Sequence, residues 1–198
     1  MNLAAVILAG GGSTRMGRDK AGLRLGGRTL LAQTIAVVQE AALAVQVIGR
    51  GAPVDAADQV DGFAADAYMA DHEPGLGPLR AIIQALQLRH GCDLLVLSCD
   101  YPLLTVASVR FLIAAWAART DGALGLVPTC AGEPQPLAAI YAAGAAEALQ
   151  TAWSGGERSV RRVVTSNPGF SALALPPEIA VAFEDCDTPE DWARLTRS

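Results

Sequence analysis

The sequence predicts an α/β protein built on one largely parallel sheet, and two patterns indicate that fold class. Short apolar runs alternate with stretches of helical periodicity, the order expected when helices connect parallel strands. Apolar residues make up 52% of the chain and aromatic residues only 5%, so the core is expected to be aliphatic. A length of 198 residues suits one domain. We therefore predict a single domain over residues 1–198.

The individual elements follow from local patterns. Apolar runs predict strands at residues 3–9, 45–48, 94–97, 124–127 and 137–141. Periodicity predicts helices at residues 29–42, 78–90, 108–119, 145–153 and 159–164. Pro78 suits the first turn of its helix, where a missing N–H costs nothing. Thr188, followed by a proline and two acidic residues, is typical of the start of a last helix.

Charge and composition exclude several classes of function. The formal net charge is −5 and no basic run occurs, which argues against nucleic acid as the main partner. No segment approaches the roughly 20 apolar residues of a membrane span, and the first apolar run is too short for a signal peptide. The four cysteines show no paired spacing, which favours reduced thiols. A cytoplasmic protein without membrane or nucleic-acid partners is expected.

The loop after the first strand, residues 8–20, carries the strongest functional signal. Three consecutive glycines allow the backbone to approach a ligand closely, and their N–H groups can surround a phosphate. Ser13 and Thr14 add short donors, while Arg15 and Lys20 add charges that can neutralise a triphosphate. We therefore predict a phosphate-binding loop.

Two familiar phosphate loops do not match this segment. Gly12 and Gly17 have the spacing of a P-loop, but Arg18 and Asp19 follow where lysine and serine are required. The dinucleotide fingerprint fails because Arg15 stands three residues after Gly12. A plain connecting loop is the alternative, but three consecutive glycines, two hydroxyls and three basic residues within 11 positions disfavour it.

Residues 8–20 resemble the nucleotidyltransferase signature L-A-G-G-x-S-x-R-M-G-x-D-K, and among its families most resemble the molybdenum cofactor guanylyltransferases. The resemblance implies a three-layer α/β/α, Rossmann-like nucleotidyltransferase fold. It also implies which residues bind the nucleotide: Leu8, Ala9, Gly10 and Gly11 contact the base. Arg15 and Lys20 contact the triphosphate and are also catalytic. The related cytidylyltransferases typically have Ala-Ala-Gly here, so Gly11 favours guanine.

Residues 71–79 resemble a second element of that family, D-x-x-P-G-x-G-P-L. Asp71 is expected to accept hydrogen bonds from the guanine or the sugar, because a carboxylate suits the N1–H and amino group of guanine. Asp66 is a competing candidate, but it lies too far from Gly77 for the family spacing. A solvated aspartate in a turn before the helix remains an alternative.

Residues 99–104 resemble the element C-D-x-P-x-[LI], whose aspartate holds Mg²⁺ in the family. The resemblance makes Asp100 a metal ligand, a nucleotide contact and a catalytic residue. Its position supports this assignment, because ligands of open α/β sheets gather beyond the carboxyl ends of the strands. Mg²⁺ also commonly uses one or two carboxylates together with phosphate oxygens. An aspartate that caps the following turn is the alternative.

Two later segments resemble the part of the family that binds a phosphorylated pterin, residues 135–141 and 156–162. The resemblance assigns the acceptor to Gln135, Pro136, Arg158 and Arg161, with Arg162 beside them. A solvated arginine-rich helix face remains an alternative for the three arginines.

The chain departs from the family pattern at three positions. Asp185 and Asp187 stand where asparagine is common, and Gly49 stands where some members have asparagine. The side-chain contact at that last position is lost or is supplied by Arg50.

Together the motifs predict Mg²⁺-dependent transfer of GMP from GTP to molybdopterin, with release of pyrophosphate. Transient contacts to proteins that handle the cofactor are also expected. One rival is transfer of CMP to molybdopterin, or of a nucleotide to another small phosphate. A second rival is a GTP-binding module without chemistry, which the combination of Lys20 and Asp100 disfavours.

Overall fold

The central feature of the computed structural model is one mixed sheet, seen within residues 2–10, 20–52, 59–64, 67–119, 122–186 and 188–195, which the structure describes. The strands are β1 Leu3–Leu8, β2 Arg24–Leu25, β3 Arg28–Thr29, β4 Val45–Ile48, β5 Tyr68–Met69, β6 Asp93–Ser98, β7 Gly125–Cys130, β8 Glu133–Pro134, β9 Ala138–Tyr141 and β10 Phe170–Ala174. The helices are α1 Leu30–Glu40, α2 Pro78–Leu88, α3 Val106–Ala117, α4 Ala145–Ser154, α5 Val160–Ser166, α6 Pro177–Ala180 and α7 Pro189–Leu195.

Across the sheet the strand order is β10-β7-β9-β6-β1-β4-β5, with β8 paired to β7 and with β2 and β3 forming a separate hairpin. Strand β9 runs antiparallel to both of its neighbours, and β8 runs antiparallel to β7. The other pairings within the sheet are parallel. The predicted, largely parallel sheet is therefore confirmed.

Helices cover both faces of the sheet. Successive strand residues point to opposite sides, so neighbouring residues of one strand pack against different helices. In β1, Val6 packs with α2, α4 and α5, whereas Ile7 packs with α1 and α3 on the other face. Both side chains are fully buried. The three-layer α/β/α architecture is confirmed. None of the helices in the described residues is long and apolar enough to cross a membrane.

Caps and a proline set the starts of three helices. The Thr29 hydroxyl accepts the Ala32 N–H and begins α1. Pro78 occupies the first turn of α2, as predicted. Thr105 and Ser108 form a capping box, so α3 begins at Val106, two residues before the predicted start.

A polar cluster lies at the amino end of β6, opposite the motifs. One carboxylate oxygen of Asp93 accepts the indole N–H of Trp116 at 2.9 Å and a guanidinium N–H of Arg119 at 3.2 Å. The other oxygen accepts the Ala143 peptide N–H at 3.0 Å. Trp116 is fully buried, so this carboxylate satisfies a donor that water cannot reach.

The register brings the motif-bearing loops to one edge. Leu8, at the end of β1, lies beside both Ile48 and Ser98, and Ile48 lies beside Met69. Because β9 is antiparallel, it begins at the edge where β6 ends. The segments after β1, β4, β5 and β6, and the segment before β9, therefore meet at the carboxyl edge of the parallel strands.

Candidate active site

Lys20 and Asp100 lie together at the carboxyl edge. Lys20 Nζ is 3.9 Å from Asp100 Oδ2, and the two side chains are only 15% and 22% exposed. Lys20 begins a 3-10 turn, Lys20–Gly22, in which Ala21 is buried in the core. Partial burial limits solvent screening, so the attraction between the two opposite charges is stronger than it would be in water. The structure thus brings together two of the three residues predicted to be catalytic; the third, Arg15, lies outside the described residues, as does Gly11.

Asp100 is positioned by its neighbours in the chain and by a distant segment. The Ser98 hydroxyl donates to Asp100 Oδ1. The Cys186 peptide N–H donates to the Asp100 carbonyl oxygen at 2.9 Å. Sequence reasoning missed both contacts. A serine two residues before an aspartate at a strand end is a local signal for the first contact, whereas the second has no local signal.

Cys99 lies beside Asp100 but is not a nucleophile. Burial and, to a smaller extent, the charge of Asp100 raise the pKa of its thiol to about 12, against a backbone hydrogen bond and the charges of Arg50 and Lys20. The thiol therefore stays protonated near neutral pH. Whether Arg50 supplies the contact of the asparagine that Gly49 replaces stays a prediction.

The segments after β1 and β4 touch through two glycines. A Cβ added at Gly49 would lie 2.5 Å from both the Cα and the nitrogen of Gly10, and Gly49 has φ +96°. The Ala9 N–H donates to the Ile48 carbonyl at 2.8 Å. The departure at Gly49 therefore has a steric reason. It lets the predicted base-binding start of the loop, which includes the buried Leu8, rest directly on the next strand.

Asp71 follows β5 at the same edge. Its Oδ1 accepts the Glu73 N–H at 3.0 Å, the turn contact that the alternative interpretation predicts. The buried Gln84 of α2 holds the residues on both sides: its Oε1 accepts the His72 N–H at 3.0 Å, and its Nε2 donates to the Ala70 carbonyl at 3.2 Å. Contact of Asp71 with a base remains a prediction. The competing Asp66 lies outside the described residues.

The predicted acceptor residues divide into two groups. Gln135 lies next to the Asp100 loop, because its Oε1 is 3.4 Å from the Tyr101 hydroxyl. The Ser98 N–H donates to the Leu137 carbonyl at 2.8 Å, which holds the segment containing Pro136 beside the end of β6. These residues share an edge with the lysine and the carboxylate.

The predicted arginines have partners within the chain. The Arg158 guanidinium lies 3.7 Å from the ring centroid of Trp153 and donates to the Trp153 carbonyl at 2.8 Å. Arg161 pairs with Glu133 of β8. The third arginine, Arg162, is bonded to Glu157 and is 72% exposed. Acceptor contacts of Arg158 and Arg161 remain predictions.

The closing segment also reaches this edge. Phe183 packs edge-on against Tyr101, with ring centroids 6.1 Å apart. Burial raises the pKa of the Tyr101 phenol well above its usual value, and the charges of Asp100 and Asp185 raise it further. Asp185 therefore acts on the site electrostatically, while Asp187 lies outside the described residues.

The candidate metal donor is the carboxylate of Asp100. Among the described residues, no group of three or more His, Cys, Asp or Glu side chains could hold a metal. Such a sparse donor set does not suit a structural ion. It does suit Mg²⁺, which takes one or two carboxylates and completes its shell with phosphate oxygens and water.

The carboxyl edge of this open α/β sheet joins the start of a glycine-rich loop, a lysine and a carboxylate. This combination is typical of nucleotide-binding proteins that handle phosphates. The comparison with protein families makes this specific. The model of the MobA-like NTP transferase domain matches residues 5–170, and the chain belongs to that family.

Individual relatives agree with this assignment. A protein of Opitutus terrae named "Probable molybdenum cofactor guanylyltransferase" is 34% identical, over 98% of this chain and 95% of that protein. The molybdenum cofactor guanylyltransferase of Xanthomonas euvesicatoria is 32% identical, over 96% of this chain and 92% of that protein.

Among solved structures, molybdopterin-guanine dinucleotide biosynthesis protein A from Archaeoglobus fulgidus has the same fold. It matches with a TM-score of 0.71 at 20% identity, covering 98% of this chain and 97% of that chain. The family and the fold predicted from the motifs are confirmed.

Proposed function

We propose that this chain transfers GMP from GTP to molybdopterin, with or without bound molybdenum, and releases pyrophosphate. The observation that carries the proposal is the Lys20–Asp100 pair, 3.9 Å apart at the sheet edge where the base-binding loop begins. The relatives named as molybdenum cofactor guanylyltransferases support the choice of nucleotide and acceptor. A pairing of lysine with carboxylate also favours an enzyme over a module that only binds a base.

In the proposed reaction, an oxygen of the molybdopterin phosphate attacks the α-phosphorus of GTP. A new P–O bond forms, the bond from the α-phosphorus to the bridging oxygen breaks, and pyrophosphate leaves with the bonding electrons. The attacking phosphate is already anionic at neutral pH, so no strong general base is needed. The task of the protein is to align the reactants and to neutralise charge.

Predicted site residues in the described part of the chain have specific parts in this scheme. Lys20 places its ammonium against the phosphates and stabilises charge that develops on the leaving pyrophosphate. Leu8, Ala9 and Gly10 present backbone groups to the guanine, and Asp71 accepts hydrogen bonds from it. Gln135 and Pro136 receive the acceptor. The N-terminal half thus binds nucleotide and metal, and the C-terminal half binds acceptor.

Asp100 would hold Mg²⁺, and its surroundings fit that role. One carboxylate oxygen is engaged by Ser98, and the other faces Lys20, with both side chains partly buried. When bound, Mg²⁺ neutralises the negative charge of the triphosphate and of the departing pyrophosphate. A cytoplasmic location, expected from the composition, and transient contacts with proteins that handle the cofactor, expected from the resemblance, remain predictions.

A nucleotide-selectivity assay tests the proposal. Purified protein is incubated with molybdopterin, Mg²⁺ and either GTP, CTP, ATP or UTP, and pyrophosphate release and the dinucleotide product are measured. We expect turnover with GTP. A preference for CTP would mean that the base is cytosine and not guanine, with the transfer chemistry unchanged. GTP binding in calorimetry without turnover would indicate the non-catalytic module.

The metal assignment is tested by Asp100→Ala. Loss of a group that stabilises transition-state charge costs roughly 10²–10³-fold in rate, and we expect kcat to fall by about that factor. Asp61→Ala is the matched control, because Asp61 is exposed on a turn and belongs to none of the motif segments. Normal Mg²⁺-dependent turnover in Asp100→Ala would refute the assignment.

A further inference from the structure

Two buried tyrosines hold the segment Gln135–Pro136 from opposite faces of the sheet. The Tyr101 hydroxyl donates to Gln135 Oε1 at 3.4 Å, and the Tyr141 hydroxyl donates to the Pro136 carbonyl at 2.7 Å. Tyr101 belongs to the core beneath α1 and α3, and Tyr141 to the core beneath α2, α4 and α5. Their exposed fractions are 5% and 0%. The segment is therefore fixed at both of its residues.

Most polar groups of Gln135 are already engaged. Its peptide N–H donates to the Pro128 carbonyl at 2.8 Å, and its own carbonyl accepts the Ala138 N–H at 3.1 Å. The side-chain oxygen accepts the Tyr101 hydroxyl. Within the residues that the structure describes, the amide Nε2 group has no hydrogen-bond partner, and the residue is partly exposed. The side chain can thus present two N–H donors to a ligand.

The polarity of this arrangement follows from the chemistry of the two groups. An amide oxygen carries no proton, so the tyrosine must be the donor in their hydrogen bond. With its oxygen occupied, the amide can only turn its NH₂ group away from Tyr101. Tyr101 directly follows Asp100, so the donors stand at the edge that carries the proposed metal carboxylate.

We propose that Tyr101 is a positioning residue that orients the Gln135 amide, so that its N–H groups donate to a phosphate oxygen of the acceptor. The inference rests on the proposed function and adds to it the polarity of the acceptor contact and the residue that sets it. Gln135 touches the substrate, whereas Tyr101 acts only through Gln135.

The ring of Tyr101 is held independently of its hydroxyl. It packs edge-on against Phe183, with an interplanar angle of 74°. Tyr101→Phe therefore removes the hydrogen bond and keeps the packing. Without the hydroxyl, the amide rotates more freely and presents its donors for only part of the time.

Steady-state kinetics of five variants tests the inference, with KM measured separately for molybdopterin and for GTP. For Tyr101→Phe we expect the acceptor KM to rise by about 2–10-fold, the effect of one neutral hydrogen bond. For Gln135→Glu we expect a rise of about 10–100-fold, because donors to a charged group are replaced by a repelling carboxylate. In both variants the KM for GTP should stay unchanged.

A double-mutant cycle separates positioning from a structural role. If Tyr101 acts only through Gln135, Tyr101→Phe should change the acceptor KM by less than about 2-fold in a Gln135→Ala background. Additive effects would overturn the inference, because they would mean that Tyr101 acts on the site by another route. Gln39→Glu, which makes the same charge change at the far end of α1, is the control and should leave both KM values unchanged.

The outcomes distinguish this inference from the proposed function. A wild-type protein that forms no guanylylated product refutes the function and this inference with it. If the wild type forms the product, but Tyr101→Phe and Gln135→Glu keep the wild-type KM for the acceptor, this inference alone is refuted. Equal rises in the KM for GTP and for the acceptor would refute it as well, since they would indicate general damage to the site.

Discussion

The contact between Gly10 and Gly49 offers a substitution whose effect can be worked out from the structure. Gly49→Ala would place a methyl carbon 2.5 Å from backbone atoms of Gly10, and alanine would have to adopt φ +96°. Because the obstructing atoms belong to the backbone, no side-chain rotation relieves the clash. The substitution must shift the segment that begins the predicted nucleotide loop.

The cost of Gly49→Ala has two parts. A left-handed backbone costs a non-glycine residue about 1–2 kcal/mol, and overpacking of a tight contact costs about 1–3 kcal/mol. The free energy of unfolding should therefore fall by about 2–5 kcal/mol. At roughly 2–4 °C per kcal/mol for a chain of this length, Tm should fall by about 4–20 °C.

The same displacement should reach catalysis, because Gly10 is a predicted base contact. A misplacement of about 1 Å can cost on the order of 100-fold in rate, so we expect kcat/KM for GTP to fall by about 10–100-fold. Gly51→Ala is the matched control, since a Cβ there meets no atom of the described residues within 4 Å and its φ lies outside the left-handed region. Thermal melting and GTP kinetics are compared for both variants and the wild type. The steric reasoning fails if Gly49→Ala melts like the wild type or if Gly51→Ala loses as much.

Three further substitutions test other parts of the structure. Asp93→Ala leaves the buried indole N–H of Trp116 without its acceptor and should lower the free energy of unfolding by about 2–4 kcal/mol in denaturant titrations; an unchanged midpoint would contradict the assigned hydrogen bonds. Ser98→Ala should raise the Mg²⁺ concentration needed for half-maximal activity by about 3–10-fold, since Asp100 loses a hydrogen bond. Ser98→Thr keeps the hydroxyl and should need the same Mg²⁺ concentration as the wild type. Equal Mg²⁺ dependence in the wild type and both variants would exclude this positioning role. Hydrogen bonds from its arginine partner and from two peptide N–H groups lower the pKa of Glu157 from 4.5 to about 2, so it stabilises the fold above pH 4.5 and this contribution is lost as the pH falls towards 2. Glu157→Gln should therefore melt below the wild type at pH 7, with a difference that shrinks through that window, and a difference independent of pH would refute the assignment.

Much of the fold was predictable because its signals are local. The continuous apolar run of β1 and the helical spacing in α2 depend on residues within a few positions of each other. The hydroxyl cap at Thr29 and the proline at residue 78 mark helix starts for the same reason. The elements that escaped prediction include β5 and β8, which are two residues long, and β10, an edge strand in which Ser171, Ala172 and Ala174 are exposed.

The chemistry at the sheet edge was predictable for a related reason. Glycines, a lysine and an aspartate each follow a predicted strand, and the carboxyl ends of parallel strands share an edge. Order along the chain was therefore enough to place Gly10, Lys20 and Asp100 in one region, whereas Asp71 follows the unpredicted strand β5 and was placed by the family resemblance. The antiparallel direction of β9, which brings Gln135 to the same edge, has no sequence signature in the strand itself.

The sequence by itself determined the α/β class and the family, and it predicts a phosphate-binding first loop. Only the tertiary structure decided what holds the candidate site in place: the Cys186 N–H on the Asp100 carbonyl, the contact of Gly10 with Gly49, and Tyr101 on Gln135. Local patterns arise from periodicity and capping, which act over a few residues. Contacts between distant segments depend on strand order, direction and register, which are properties of the whole packed chain.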